Sequence, residues 1–143
     1  MRHVIEFVFL ACTLPSEFAL AETYRCIMNH EISIRTNGSV EDNKEAAKGV
    51  EFFIAIDNKT QKGTFNICSE SGCFKNAGDD VNVISRWEPD KTSQSRGVRF
   101  TRGVYQLWSL DGRKDTSDFT AAAVGFSGLG SSTSFGSCRL IIQ

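Results

Sequence analysis

Beyond its first few residues the chain has a single histidine, His30, and histidine is the side chain best suited to carry protons near neutral pH. A general base also needs an orienting partner and a reacting proton within reach, and no Ser/His/Asp arrangement can be read from the spacing. His30 is therefore expected to be a half-buried residue hydrogen-bonded to a neighbour. After Cys12 the chain carries four more cysteines, Cys26, Cys68, Cys73 and Cys138. Cys68 and Cys73 lack the close spacing of paired zinc ligands, and with only His30 besides, no metal is expected. An even set of cysteines reads instead as two disulfides, for which three pairings are open. Arg96, Arg99 and Arg102 form a basic cluster, with Arg86 upstream. On a strand Arg96 and Arg102 share one face and Arg99 takes the other. Solvated edge charge is the simpler expectation for them, and contact with an anionic partner the functional one. Asp79 and Asp80 lie beside Gly78 without the spacing of a calcium loop, which suggests a solvated turn. Gly125-Phe126-Ser127-Gly128-Leu129 approaches a nucleophile elbow but has Leu129 where glycine is needed, so a flexible loop is expected.

Residues 1–21 read as an export signal. Arg2 and His3 start it, an apolar run follows through Leu14, and Ala19-Leu20-Ala21 offers the small-x-small cleavage pattern, with Glu22 as mature start. The run is shorter than the about 20 apolar residues a bilayer span needs. The competing reading is a lipid anchor at Cys12, through Phe9-Leu10-Ala11-Cys12. Arg2, Glu6 and Glu17 leave with the signal, so the 16 basic and 17 acidic side chains fall to 15 of each. A net charge of zero argues against nucleic acid or an anionic membrane as partner. The remaining residues 22–143 fit one domain, periplasmic if the chain is exported from a bacterium.

The elements that must position these residues are strands. Over residues 24–35 the even positions are Tyr, Cys, Met, His, Ile and Ile, and the odd ones mostly polar; only Ile27 breaks the alternation. Period two marks a strand with one buried and one wet face. Further strands are expected at 51–57, 62–68, 81–87, 97–101, 104–110 and 137–142, with Arg102-Gly103 at the bend of one hairpin, and 119–126 reads as a strand or, through Ala121-Ala122-Ala123, a helical turn. A short helix is expected at 42–48, started by Asp42 and stopped by Gly49. The segments 68–73, 88–95, 111–118 and the glycine- and serine-rich 125–136 read as loops. Short strands every 8–15 residues with little helix indicate an all-β fold, and sequential hairpins favour a single antiparallel meandering barrel of about eight strands.

The segment GVRFTRGVYQLWS at 97–109 resembles the central hairpin of the periplasmic and membrane-bound inhibitors of C-type lysozyme. Tyr24-Arg25-Cys26 resembles that family's first strand, and Ser137-Cys138 its last. The resemblance implies an eight-stranded antiparallel barrel with the first and last cysteines bridged. A meander that closes also brings its first and last strands together, so Cys26–Cys138 and Cys68–Cys73 are the predicted pairs. The family's inhibitors engage the lysozyme's catalytic acids with a serine before the glycine and a lysine after Trp-Ser. Here those positions are Arg96 and Leu110, with Ser95 and Arg113 out of register. The ending Phe135-Gly136-Ser137-Cys138 is also similar to that of a group of small exported alphaproteobacterial proteins.

The expected function is therefore that of an exported, non-catalytic binding protein without cofactor, whose lysozyme inhibition is weak. Arg96, Arg99, Arg102, Tyr105, Trp108 and Arg113 are the candidate binding residues, and a lysozyme-like protein the candidate partner. A carrier of a small apolar ligand is the alternative. The two differ in the barrel interior, filled for a protein binder and open for a carrier.

Overall fold

The structure, a computed structural model, describes residues 21–45, 50–76 and 79–142. Of the expected signal only Ala21 is among them, and Cys12 lies outside them. Among the described residues ten strands follow one another: β1 (Ala21–Arg35), β2 (Val40–Asn43), β3 (Glu51–Asp57), β4 (Lys62–Ser69), β5 (Gly72–Phe74), β6 (Asp80–Trp87), β7 (Ser95–Arg102), β8 (Gln106–Arg113), β9 (Asp118–Ser127) and β10 (Gly130–Ile142). All neighbours pair antiparallel in the order β10-β9-β8-β7-β6-β4-β3-β1, and β10 pairs back onto β1. The meander therefore closes into an eight-stranded barrel, with β2 added to β1 and β5 to β4. Closure removes the unpaired edges that an open sheet would expose. Among the described residues no helix is long and apolar enough to cross a membrane.

Inward positions alternate along the strands and fill the barrel. Ile54 and Ile56 of β3, Phe65 of β4, Val98 and Phe100 of β7 and Leu110 of β8 are completely buried. Trp108 stands among Phe52, Phe65 and Phe100, with ring centroids 5.9, 5.1 and 6.0 Å away. Both disulfides join residues directly opposite on paired strands: Cys26 with Cys138 across the closing seam, and Cys68 with Cys73 in the β4–β5 hairpin. Both predicted pairs are thus present.

Several local expectations differ from the structure. Asp42 and Asn43 belong to strand β2, not to a helix, and residues 46–49 lie outside the described ones. The reason lies in β1. It pairs with β3 only as far as Cys26, and its remaining edge is covered by β2, with Ile34 opposite Val40 and Ile32 opposite Asp42. The serine-rich segment expected as a loop is strand from Gly130 onward, because β9 and β1 flank it on both sides and take up its backbone hydrogen bonds. The 68–73 loop is a hairpin that adds strand β5, and β8 extends through Asp111 to Arg113 instead of turning there. The β7–β8 bend falls at residues 103–105, one step past Arg102-Gly103, so Val104 and Tyr105 leave the strand for the tip. Gly103 takes φ of 56°, a left-handed conformation that glycine adopts without cost from a Cβ.

Candidate functional site

One end of the barrel is polar inside, and a bulge in β1 makes it so. Cys26 faces Cys138 and Met28 faces Gly136, but His30 faces Phe135, leaving Asn29 as the extra residue. One inserted residue exchanges the faces of everything beyond it. Tyr24, Cys26 and Met28 are buried, whereas past the bulge the odd residues Glu31 and Ser33 turn inward. His30, Ile32 and Ile34 turn to the outer face. His30 is therefore not on the buried face expected from the alternation; its Nε2 lies 2.6 Å from the Asp42 carboxylate on β2. The cross-strand register continues the inward row: Glu31 faces Ser134, Ser33 faces Ser132, Ser132 faces Gly125, Gly125 faces Gln106, and Gln106 faces Arg102.

Two hydrogen-bonded groups occupy this mouth. Ser33 Oγ and Ser134 Oγ donate to the two oxygens of Glu31, at 2.9 and 3.3 Å. Across the opening, Arg102 donates to both carboxylate oxygens of Asp79, at 3.0 and 2.9 Å, and to Gln106 Oε1 at 3.1 Å. The Arg102 guanidinium lies over the Phe65 ring, 4.1 Å from its centroid. Gln106 Oε1 also accepts from Trp108 Nε1 at 3.2 Å, which ties the mouth to the aromatic core. Asp79 is not the solvated turn residue expected: its side chain and that of Arg102 are each only 13% exposed.

Burial alone acts to raise the Asp79 pKa, but the Arg102 hydrogen bonds and charge, with the Asn76 N–H, outweigh it and hold the pKa below its usual value. A depressed folded-state pKa contributes stability that is present above the unfolded pKa and is lost as pH falls through the folded one. Asp79→Asn is therefore expected to cost about 1 kcal/mol at pH 7, and the deficit should shrink below about pH 4. Urea denaturation of both proteins at pH 7 and pH 3 checks this; a deficit that stays constant would show that the pair contributes nothing through charge.

Apolar side chains surround the polar mouth. Val104 and Tyr105 at the β7–β8 tip, Phe126 on β9 and Leu129 in the β9–β10 turn are 85%, 68%, 62% and 71% exposed. Backbone hydrogen bonds hold these pieces together: Phe126 N–H donates to the Tyr105 carbonyl at 2.9 Å, and Thr36 N–H to the Leu129 carbonyl at 3.1 Å. A cleft of about 310 Å³ is lined by Glu31, Ser33, Ser132, Tyr105, Phe126 and Leu129. A second depression of about 520 Å³ lies beside Asp79 and Arg102 and shares Tyr105 and Gln106 with the first.

The opposite end is closed by a different set. Arg86 donates to Glu22 at 2.6 Å and to Gln61 at 2.8 Å, and Tyr24 Oη donates to the same Glu22 carboxylate at 2.9 Å. Burial, reinforced by the Glu22 charge, pushes the Tyr24 hydroxyl pKa far up, so it remains a donor. Arg96 lies 5.0 Å from the Phe119 ring centroid and donates to the Thr116 carbonyl.

The candidate binding residues are thus dispersed. Arg96 and Arg102 share the inward face, as the alternation implies, but stand at opposite ends of the barrel. Arg99 points outward and lies 5.4 Å from the Trp87 ring centroid. Trp87 in turn packs against Gly97, where a Cβ would come within 2.3 Å of its ring. Arg113 is exposed at the far end of β8, away from the tip. Trp108 is 2% exposed and belongs to the core, and only Arg102 and Tyr105 of the six reach the polar mouth. Leu110, where the resembled inhibitors carry a lysine, is fully buried. Glu31, Ser33, Ser132 and Ser134 escape sequence reasoning, since serine on the inward face gives no hydrophobic alternation. The exposed tip residues Val104 and Leu129, next to glycines, were the available signal for the rim.

The molecule is an all-β, disulfide-bonded antiparallel barrel with an aromatic and aliphatic core, a polar cluster at each end and an apolar rim around one of them. No family model, curated protein or solved structure matches the chain.

Proposed function

We propose that this is an exported, non-catalytic binding protein that holds a protein partner on the rim formed by Val104, Tyr105, Phe126 and Leu129. The observation that carries the reading is the contrast between the barrel's interior and its end. Ile54, Ile56, Phe65, Val98, Phe100 and Leu110 fill the middle of the barrel and are fully buried, which disfavours the carrier of a small apolar ligand, while Val104, Tyr105, Phe126 and Leu129 stand exposed at one end on segments held by backbone hydrogen bonds. Exposed apolar side chains grouped on a fixed frame characterise protein-binding surfaces. Two disulfides suit an oxidising compartment, and the signal-like residues 1–21 suit export.

Lysozyme inhibition through the family's contact positions is expected to be weak. Leu110 points into the core and cannot present a charge, and Arg96 is engaged by Phe119 and Thr116. Loss of a buried charged partner at an interface costs about 2–5 kcal/mol, a factor of tens to thousands in affinity. Nanomolar inhibition of a C-type lysozyme in an activity assay would overturn this part.

A photo-crosslinking residue placed at Val104, with Asp115 in the β8–β9 turn as control at the opposite end, tests the reading in cells expressing the full chain. A discrete adduct of defined mass at position 104 and none at 115 is the expected result. Equal adducts at both positions, or none, would overturn it.

A further inference from the structure

We infer that the cleft beneath the rim receives a cationic side chain, an arginine or lysine of the partner protein, with Glu31 as its counter-charge. The inference rests on the proposed protein partner and names the chemistry of its central contact. Glu31 is half-buried on the inward face beyond the β1 bulge, and among the described residues its oxygens accept hydrogen bonds from the hydroxyls of Ser33 and Ser134. Among the described residues no cation pairs with it. The nearby arginines are already engaged: Arg35, which also lines the cleft, donates to Glu41 at 2.7 and 2.9 Å, and Arg102 donates to Asp79. A carboxylate withdrawn from water gains strongly from an opposite charge brought to it.

The walls suit the same ligand. Tyr105 and Phe126 line the cleft, and aromatic rings are good neighbours for a guanidinium or an ammonium stem. Ser33 and Ser132 add hydroxyl oxygens that can accept from the remaining N–H groups. The cleft of about 310 Å³ is ample for one long side chain. An anion would meet the Glu31 charge and is disfavoured. The chemistry is the inverse of that in the resembled inhibitors, which bring a cation to a partner's acids.

The test is an NMR titration of the folded, oxidised protein with butylguanidinium, with the blocked tripeptide Ala-Arg-Ala and with butylsulfonate. Both cations should shift the amides of Ser33, Gly125 and Ser132, and butylsulfonate should not. The tripeptide should bind about fivefold tighter, through added contact with Tyr105 and Leu129. Glu31→Gln, which keeps an acceptor for a serine, should weaken both cations about tenfold at unchanged melting temperature. Raising the salt from about 20 to about 500 mM should weaken binding to the unaltered protein in the same sense, which tests the charge without a variant. Unchanged affinity in both comparisons, or no shift at the mouth, would overturn the assignment. Tighter binding of the free cation than of the tripeptide would make the cleft a receptor for a small cation and overturn the side-chain part. Cation binding without an adduct at position 104 would remove the protein partner, whereas an adduct without cation binding would remove the role of Glu31.

Discussion

Replacing Cys26 and Cys138 together by alanine is expected to cost about 4–5 kcal/mol and to lower the melting temperature by roughly 15–20 °C. The bridge spans 112 residues, nearly the whole folded chain, and so removes much of the freedom of the unfolded state. It also crosses the seam where β10 meets β1, the one contact that converts a sequential meander into a barrel. Without it, closure rests on the backbone pairing and packing of two strands at the extremes of the chain. Both cysteines are buried, so some packing is lost as well. The Cys68–Cys73 bridge provides the internal comparison. It encloses a separation of five residues in an exposed hairpin, and its removal should cost about 2 kcal/mol at most. Thermal and urea unfolding of the two double variants measure the contrast. Equal losses, or a greater loss at Cys68–Cys73, would show that seam closure is not where the disulfide stabilisation resides.

Trp108→Ala is expected to cost about 3–5 kcal/mol, the range for truncating a large aromatic side chain in a packed core. The indole touches three phenylalanine rings drawn from β3, β4 and β7, so its removal opens a void shared by strands on both sides of the barrel. Trp108→Phe should cost much less, about 1–2 kcal/mol, since most of the ring contact survives. The hydrogen bond from Nε1 to Gln106 is lost in that variant, but Gln106 keeps its bond from Arg102. Urea denaturation orders the variants. A Trp108→Ala protein of undiminished stability that no longer yields the Val104 adduct would return Trp108 to the binding surface suggested by its place in the aromatic hairpin.

Sequence by itself determined the barrel and its staples. Strand 62–68 announces itself by alternation and strand 51–57 by its short run of Phe and Ile, and β3 and β4 are neighbours joined by a short turn. The cysteine pairs follow from an even count and from closure of a meander. Tertiary structure alone decided the polar end. The segment from Gly130 to Gly136 has no strand signature of its own; it is a strand because β1 and β9 pair with it from both sides, and that partnership is remote in sequence. Val40–Asn43 is a strand because β1 outruns β3 and leaves an edge to cover. The single extra residue Asn29 exchanges the faces of β1, which places Glu31 inside and His30 outside, against the simple alternation. Arg102 likewise shares a face with Arg96, yet only the register of β6, β7 and β8 sets it over Phe65 and against Asp79. Local pattern records which side chains prefer burial; bulges and strand partners determine which of them meet.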